Sequence, residues 1–142
     1  MLAASSLAWP MLAMVALVFA VAGRLFFTRV PEMKRRRIHP QAVASAKQMA
    51  EAMEDTRAAD HFRNLFEIPV LFFVGCLAAM QTGVATFGVL LMAWAFVGAR
   101  VIMAIEACGR NKVMRRFQAF VAGGAALLAL WLQLGLHWAG VL

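Results

Sequence analysis

The chain has 142 residues, of which 63% are hydrophobic and only 15% are charged, and its formal net charge is +7. This composition leaves too little polar material to cover a water-soluble globule, so it excludes a soluble domain and indicates an integral membrane protein. The basic excess suits the cytoplasmic lipid surface. It does not indicate a nucleic-acid partner, because there is no soluble basic domain to bind one.

Four apolar stretches approach or exceed the length that a membrane-spanning helix needs, which is roughly 20 residues for a hydrocarbon core of about 30 Å. They cover residues 7–27, 65–80, 84–107 and 113–136. The sequence therefore predicts an all-α protein, with a single transmembrane domain over residues 1–142 in which four helices form a bundle.

The first stretch resembles a cleaved secretory signal, because residues 20–22 are Ala-Val-Ala after an apolar run. The charges contradict that interpretation. No Lys or Arg precedes Arg24, whereas Arg29 and the run Lys34–Arg37 follow the stretch. We therefore expect a retained helix whose N-terminus lies outside.

The longest connection, residues 31–63, is polar and carries Pro31 and Pro40. After Pro40, apolar residues recur at helical spacing, so we expect an amphipathic cytoplasmic helix from about Gln41 that runs on into the second span. Asp55 belongs to its polar face. The helix is expected either to extend into solvent or to lie on the membrane surface.

Nearly all the basic residues fall in two connections, the one between spans one and two and the one between spans three and four. Only Arg24 and Arg100 are exceptions. The positive-inside rule places both connections in the cytoplasm and therefore both termini outside.

Ionisable side chains at membrane depth are expensive and mark candidate functional sites. Four occur here. Arg24 is close enough to a span end to reach the interface. Glu106 stands four residues before Arg110, the order that favours a helical ion pair. Arg100 is farther from the span end, and the nearest carboxylate by depth is that of Glu67.

A polar cluster marks the start of the second span. The spacing of Arg63, Asn64 and Glu67 places them on one side of a helix, and Pro69 is expected to bend that helix. With Arg100, Arg115 and Arg116, these residues predict a cationic recess at the cytoplasmic boundary. Such a recess suits a small anion with one or two carboxylates, held by arginine in forked geometry.

Three strings carry a resemblance to a known family: RNLFEIPVLFF at 63–73, ARV at 99–101 and NKVMRRF at 111–117. In these strings the chain resembles bacterial members of the MAPEG family, the membrane-associated proteins of eicosanoid and glutathione metabolism. The resemblance implies a left-handed four-helix bundle in a bacterial inner membrane, assembled as a homotrimer. It also implies glutathione as the cofactor, bound between subunits near the cytoplasmic face, and lipophilic small molecules as substrates.

The resemblance assigns roles by position. Arg63, Asn64 and Glu67 match the glutathione-contacting motif of the second helix, and Arg100 matches the arginine of the third. Arg116 matches the arginine near the thiol in active relatives and is the predicted catalytic residue. Arg115 and Arg24 complete the predicted binding set, with Arg29 as the alternative to Arg24.

The chain also departs from the family. Bacterial relatives often carry histidines after the third-helix arginine and a tyrosine before the Asn of the last string, where this chain has Met103, Ala107 and Arg110. The mammalian enzymes have a tyrosine four residues after the fourth-helix arginine. Phe120 occupies that position here, and the chain contains no tyrosine.

Two functions follow as hypotheses. The first is a glutathione-dependent transferase or peroxidase acting on lipophilic electrophiles. The alternative is a non-catalytic trimeric membrane protein that binds lipid or partner proteins. A small multidrug transporter would need a carboxylate in the first span, which has none. His39, His61 and His137 lie at span ends or in the polar connection, which does not suit haem. Cys76 and Cys108 have no metal or redox spacing and are expected to pack as small apolar residues.

Overall fold

The computed structural model describes residues 3–54, 56–109 and 112–142, and over these residues it contains six α-helices and no strand. The helices are α1 (Ala8–Arg35), α2 (Ala46–Ala52), α3 (Arg57–Asn64), α4 (Ile68–Gln81), α5 (Phe87–Cys108) and α6 (Val113–Trp138). Short 3₁₀ turns cover Ala4–Leu7 and Pro40–Val43. Four helical segments are long and apolar enough to cross a membrane: Ser5–Arg35, Ala59–Gln81, Phe87–Cys108 and Val113–Trp138. The all-α fold with four spanning helices is confirmed.

The first helix is longer than the sequence pattern predicts. It continues through Pro31 and ends at Arg35, so it includes the first five residues of the predicted polar connection. A proline inside a helix removes one backbone hydrogen bond, and near the aqueous end of the helix water can replace that bond. Lys34 and Arg35 lie in the last turn, where their positive charges interact favourably with the negative end of the helix dipole.

The polar connection folds back onto the end of α1. Ser45 and Gln48 form a capping box that starts α2, and this short helix ends at Ala52. The Glu32 carboxylate accepts the Glu54 backbone N–H at 2.7 Å, and Arg36 Nη1 donates to the Ala52 carbonyl at 2.6 Å. The prediction of one helix from Gln41 into the second span is therefore wrong, because α2 ends at Ala52 and a separate helix, α3, begins at Arg57. Asp55 lies outside the described residues.

A second interruption separates α3 from α4. Residues 65–67 form a turn, and Glu67 has φ −94° and ψ −95°, which is not helical. Pro69 is in the first turn of α4, where its missing N–H costs little, whereas it would interrupt a helix that continued from α3. The expected bend beside Pro69 is present, but it breaks the helix. Arg63 and Glu67 are therefore not on one continuous helical face.

The core lies between the four long helices. The rings of Phe72 and Phe96 stack with centroids 4.8 Å apart, which joins α4 to α5. The α6 side chains Leu130 and Leu134 are fully buried against them. Cys76 is buried in the same core, and Cys108 is half-buried at the end of α5. Many large apolar side chains elsewhere face outward, among them Phe19 at 72% exposed and Phe27 at 76%. This is the pattern of a bundle whose solvent is lipid.

Small residues allow close helix packing at two points. A Cβ on Gly75 would lie 2.9 Å from Leu130 Cδ2, and a Cβ on Gly123 would lie 3.3 Å from the Cβ of Ala99. Glycine therefore lets α6 approach both α4 and α5. Gly75 and Ala79, one turn apart on α4, are both buried.

Replacing Gly123 with leucine is expected to lower the stability of the bundle in detergent. The new side chain would enter the α5–α6 contact at Ala99, and such overpacking costs about 1–3 kcal/mol. Thermal unfolding followed by circular dichroism measures the effect. Gly124→Leu is the matched control, because nothing lies within 4 Å of its Cβ position. Equal unfolding temperatures for the two variants would contradict the packing argument.

Candidate functional site

The charged residues collect at one end of the bundle, built by the last turns of α1, by α3, by the start of α4, by the end of α5 and by the start of α6. We call this the basic end. The helix α3 packs against both α1 and α5 there, and α5 makes its most extensive contact with α6. Side chains from three segments distant in sequence, the end of α1, the α3–α4 region and the α5–α6 region, are thus brought to one level of the bundle.

Arg100 lies at the centre of the basic end. The buried positions of α5 follow a helical stripe at residues 89, 93, 96, 100, 103 and 107, so the arginine lies on the stripe that faces the core. It is 1% exposed. Its guanidinium lies over the rings of Phe96 and Phe120, 5.0 and 5.9 Å from their centroids. These cation–π contacts offset part of the cost of burying the charge.

The hydrogen bonds of Arg100 are incomplete. Its Nη1 contacts the Met103 sulfur at 3.7 Å, a weak acceptor. Its Nε and Nη2 atoms are buried without a hydrogen-bond partner among the described residues. Two donors that lie on one edge of the guanidinium therefore remain available to an acceptor such as a carboxylate, which arginine binds in a forked geometry.

Glu67, the predicted partner of Arg100, stands at the start of α4 and is exposed. Its negative charge acts favourably on Arg100. Within the described part of the chain, the two side chains form no direct ion pair. Glu67 therefore acts on Arg100 electrostatically, while the Nε–Nη2 edge of the guanidinium is left open.

His61 was not among the predicted site residues. It was assigned to the polar connection, yet it is 0% exposed and lies within electrostatic reach of Arg100 and Arg116. Neither ring nitrogen has a hydrogen-bond partner in the described ranges. One sequence signal could have revealed it: His61 is four residues before buried Leu65, at the spacing of a helical core position.

The two arginines that open α6 have different surroundings. Arg116 is half-buried beside His61. Arg115 points away and forms an ion pair with Glu106, whose oxygen lies 3.2 Å from its Nη1. The predicted partner of Glu106, Arg110, lies outside the described residues. The Arg115 side chain lines a shallow groove between α5 and α6 together with Ile102 and Gln118.

The remaining predicted binding residues do not converge on Arg100. Arg24 donates to the backbone carbonyl of Cys108 and so ties α1 to the end of α5. Arg63 is exposed and lines a separate cavity of about 220 Å³ under α2, together with Arg29 and Asp60. Asn64 is half-buried at the end of α3. Within one chain, the structure thus brings together Arg100, Arg116 and Glu67 of the predicted set, and adds His61.

The arrangement of side chains also bears on whether the site could hold a metal ion. Over residues 3–54, 56–109 and 112–142, no group of three or more His, Cys, Asp or Glu residues could hold a metal ion. The polar groups at the basic end are instead guanidinium groups, which bind anions, and an imidazole, which can donate or accept a hydrogen bond.

Fold and site together define an integral membrane helical bundle with a buried cationic site at one end. A comparison with family models matches the MAPEG family over residues 7–136. The chain belongs to the MAPEG family. No curated protein and no solved structure matches it.

Proposed function

We propose that this protein is a membrane-bound glutathione-dependent transferase or peroxidase that acts on lipophilic electrophiles. The observation that carries the proposal is Arg100, a fully buried guanidinium with two donors open at the level of His61 and Arg116. Membership of the MAPEG family supports glutathione as the anion that this guanidinium meets.

The energetics favour a ligand at this site. A buried cation without a full set of partners costs several kcal/mol, and removing water from it makes any incoming negative charge more attractive. A carboxylate on the open edge of Arg100 would form two charge-assisted hydrogen bonds, each worth about 1.5–3 kcal/mol. Glutathione has two carboxylates, so one can bind Arg100 while the molecule keeps a second polar anchor.

The chemistry that the site supports is attack by a thiolate. Positive charge beside a thiol favours its deprotonated, nucleophilic form, and Arg116 and Arg100 supply that charge. The outward faces of the helices are apolar, so an electrophile dissolved in the bilayer can reach the basic end without passing through water. The role of the protein is then to hold the thiol in place and to stabilise its charge.

Assembly and orientation belong to the same proposal. The groove at Ile102, Glu106 and Arg115 contains an ion pair on the outer side of the α5–α6 contact, beside exposed apolar side chains such as Ile102. A neighbouring copy in a homotrimer would cover that pair. The basic end faces the cytoplasm by the positive-inside rule, with both termini on the other side of a bacterial inner membrane.

One observation favours the non-catalytic alternative. Phe120 lies against the Arg100 guanidinium, and its ring provides no hydroxyl that could hydrogen-bond to a thiolate. A chain that binds glutathione or lipid at Arg100 without turnover would keep the buried cation and lose the reaction.

The test uses the full-length protein purified in detergent. Calorimetric titration with glutathione is expected to show saturable binding, and the protein is expected to conjugate glutathione to a chlorinated nitroarene or to reduce a lipid hydroperoxide. Saturable binding without either reaction would support the non-catalytic alternative. Absence of saturable binding would overturn both the transferase and the peroxidase proposals.

A further inference from the structure

A groove at the end of α1, which we call the α1 groove, contains none of the residues assigned to glutathione. It has a volume of about 410 Å³, and its lining is made of apolar and cationic side chains: Val30, Met33, Ile38, Lys34 and Arg37. The two cationic side chains are exposed, and none of the described residues that line the groove is acidic. The α1 groove therefore combines apolar walls with two positive charges.

The four consecutive basic residues at the end of α1 have two kinds of surroundings. Arg35 and Arg36 form ion pairs with glutamates, at 3.3 and 3.7 Å. For Lys34 and Arg37, no ion pair is found within the part of the chain that the structure describes. The positive charge that is not neutralised at this helix end thus lies at the α1 groove, where it attracts a negatively charged group.

Arg37 also has an unusual backbone conformation. Of the residues that the structure describes, it is the one non-glycine residue with a positive φ, which is 54°. The Ile38 N–H donates to the Met33 carbonyl at 3.0 Å, and the Arg37 N–H donates to the Lys34 carbonyl at 3.3 Å. This pattern is a Schellman motif, whose left-handed position favours glycine because a side chain strains the backbone there. The residue that carries this strain supplies one of the two charges of the groove.

An exposed apolar stripe of α1 leads into the groove. Leu12, Phe19, Phe26 and Val30 follow one another at intervals of seven or four residues, which places them on one helical face. The first three are largely exposed. From Phe19 to Val30 the helix rises about 16 Å at about 1.5 Å per residue, close to one leaflet of a hydrocarbon core of about 30 Å. Lys34 stands one turn beyond Val30, so an acyl chain can lie along the stripe while its headgroup meets the groove.

We propose that the α1 groove binds one anionic phospholipid of the leaflet that meets the basic end. Its phosphate lies between Lys34 and Arg37, and one acyl chain runs along the apolar stripe. Both cations attract the negative phosphodiester, and the guanidinium supplies a forked pair of donors to its oxygens. A zwitterionic headgroup adds a positive charge that no described residue of the groove neutralises. The site therefore selects lipids such as phosphatidylglycerol over phosphatidylcholine.

The test uses the full-length protein in detergent, titrated with phosphatidylglycerol or with phosphatidylcholine of the same acyl chains. Native mass spectrometry measures how many lipids stay bound and with what affinity. The unaltered protein is expected to retain one phosphatidylglycerol per chain in preference to phosphatidylcholine. Lys34→Gln and Arg37→Gly are each expected to weaken phosphatidylglycerol binding about five-fold, and the double variant about 25-fold, as for the loss of one and two charges. The unfolding temperature of lipid-free Arg37→Gly should not fall, because glycine relieves the backbone strain.

The double variant Arg35→Gln with Lys47→Gln is the matched control, since it removes two exposed positive charges outside the groove. It should bind phosphatidylglycerol as the unaltered protein does. An equal loss in the control and in the groove variant would overturn the proposal, because the lipid would then respond to net charge alone. Equal retention of phosphatidylcholine and phosphatidylglycerol by the unaltered protein would also overturn it.

Two further results separate a lipid from other occupants. Glycerophosphoglycerol, the headgroup without acyl chains, should bind at least about 100-fold more weakly than the lipid, because each buried CH₂ group contributes about four-fold. Equal binding would show a site for free phosphate esters and overturn the lipid assignment. If the groove variants changed the number of copies per complex and left lipid retention unaltered, the groove would be a contact between copies of this chain and the proposal would fail. None of these outcomes depends on glutathione chemistry.

Discussion

Replacing Arg100 with leucine is expected to weaken glutathione binding by about 100-fold, the loss of two charge-assisted hydrogen bonds at about 1.5 kcal/mol each. The same change should leave the ligand-free bundle as stable as before or more stable. Arg100 is 1% exposed and has two donors without partners in the described part of the chain, so its charge is a cost until a ligand arrives. Calorimetric titration and thermal unfolding in the same detergent measure the two effects.

Two further variants make the Arg100 result specific. Arg100→Lys keeps the charge but has no forked edge, so its affinity should fall between those of the leucine variant and the unaltered protein. Arg35→Leu removes one positive charge from an exposed ion pair with Glu54, far less buried than Arg100, and should bind glutathione normally. If Arg100→Leu instead destabilised the ligand-free protein and bound glutathione normally, Arg100 would be a structural residue.

The number and placement of the spans could be predicted from the sequence because each span is a local property. Apolar composition and length decide whether a helix crosses a bilayer, and no distant contact is needed to recognise it. The positions of the helix ends depend also on contacts with distant parts of the chain. The polar connection was predicted to begin at residue 31, but α1 continues to Arg35, and Glu32 and Arg36 contact the segment that follows α2.

The break between α3 and α4 had a local signal in the sequence, but its consequence for the side chains did not. Helical spacing predicts that Arg63 and Glu67 share a face, but Pro69 lacks the N–H that a helix continuing from α3 would need, and the backbone at Glu67 is not helical before α4 begins. The sequence contained the signal for this break, since Pro69 was expected to bend the helix. What it could not give was the consequence for the two side chains, which depends on how α3 packs against α1 and α5.

The residues of the site also differ in how far the sequence could predict them. Arg100 could be found because a charge inside an apolar run is visible in the sequence itself. His61 was harder to find, because its burial depends on how α3 packs against α1 and α5, and a histidine near a span end is ordinary. Arg115 was predicted as a binding residue from its charge and Arg24 from the family resemblance. In the structure, Arg115 pairs with Glu106, and Arg24 donates to the carbonyl of Cys108.

Replacing Arg116 with alanine is expected to lower kcat by about 100- to 1,000-fold, as for the removal of one group that stabilises developing negative charge, while the Kd for glutathione changes far less. Arg116 is half-buried in the first turn of α6 and acts electrostatically on His61, so it lies where the thiolate of the proposed reaction would form. Steady-state kinetics with a chlorinated nitroarene and calorimetric titration separate the two quantities.

The contrast with Lys112 decides whether position or charge alone matters at Arg116. Lys112→Ala also removes one positive charge at the start of α6, but its side chain is exposed, so water and salt screen it and kcat should not change. Arg116→Lys should retain much of the rate, because a cation in this position still favours the thiolate. If Arg116→Ala raised the Kd in proportion to its effect on kcat/KM and left kcat unchanged, Arg116 would bind glutathione without activating it, and thiolate formation would then depend on Arg100.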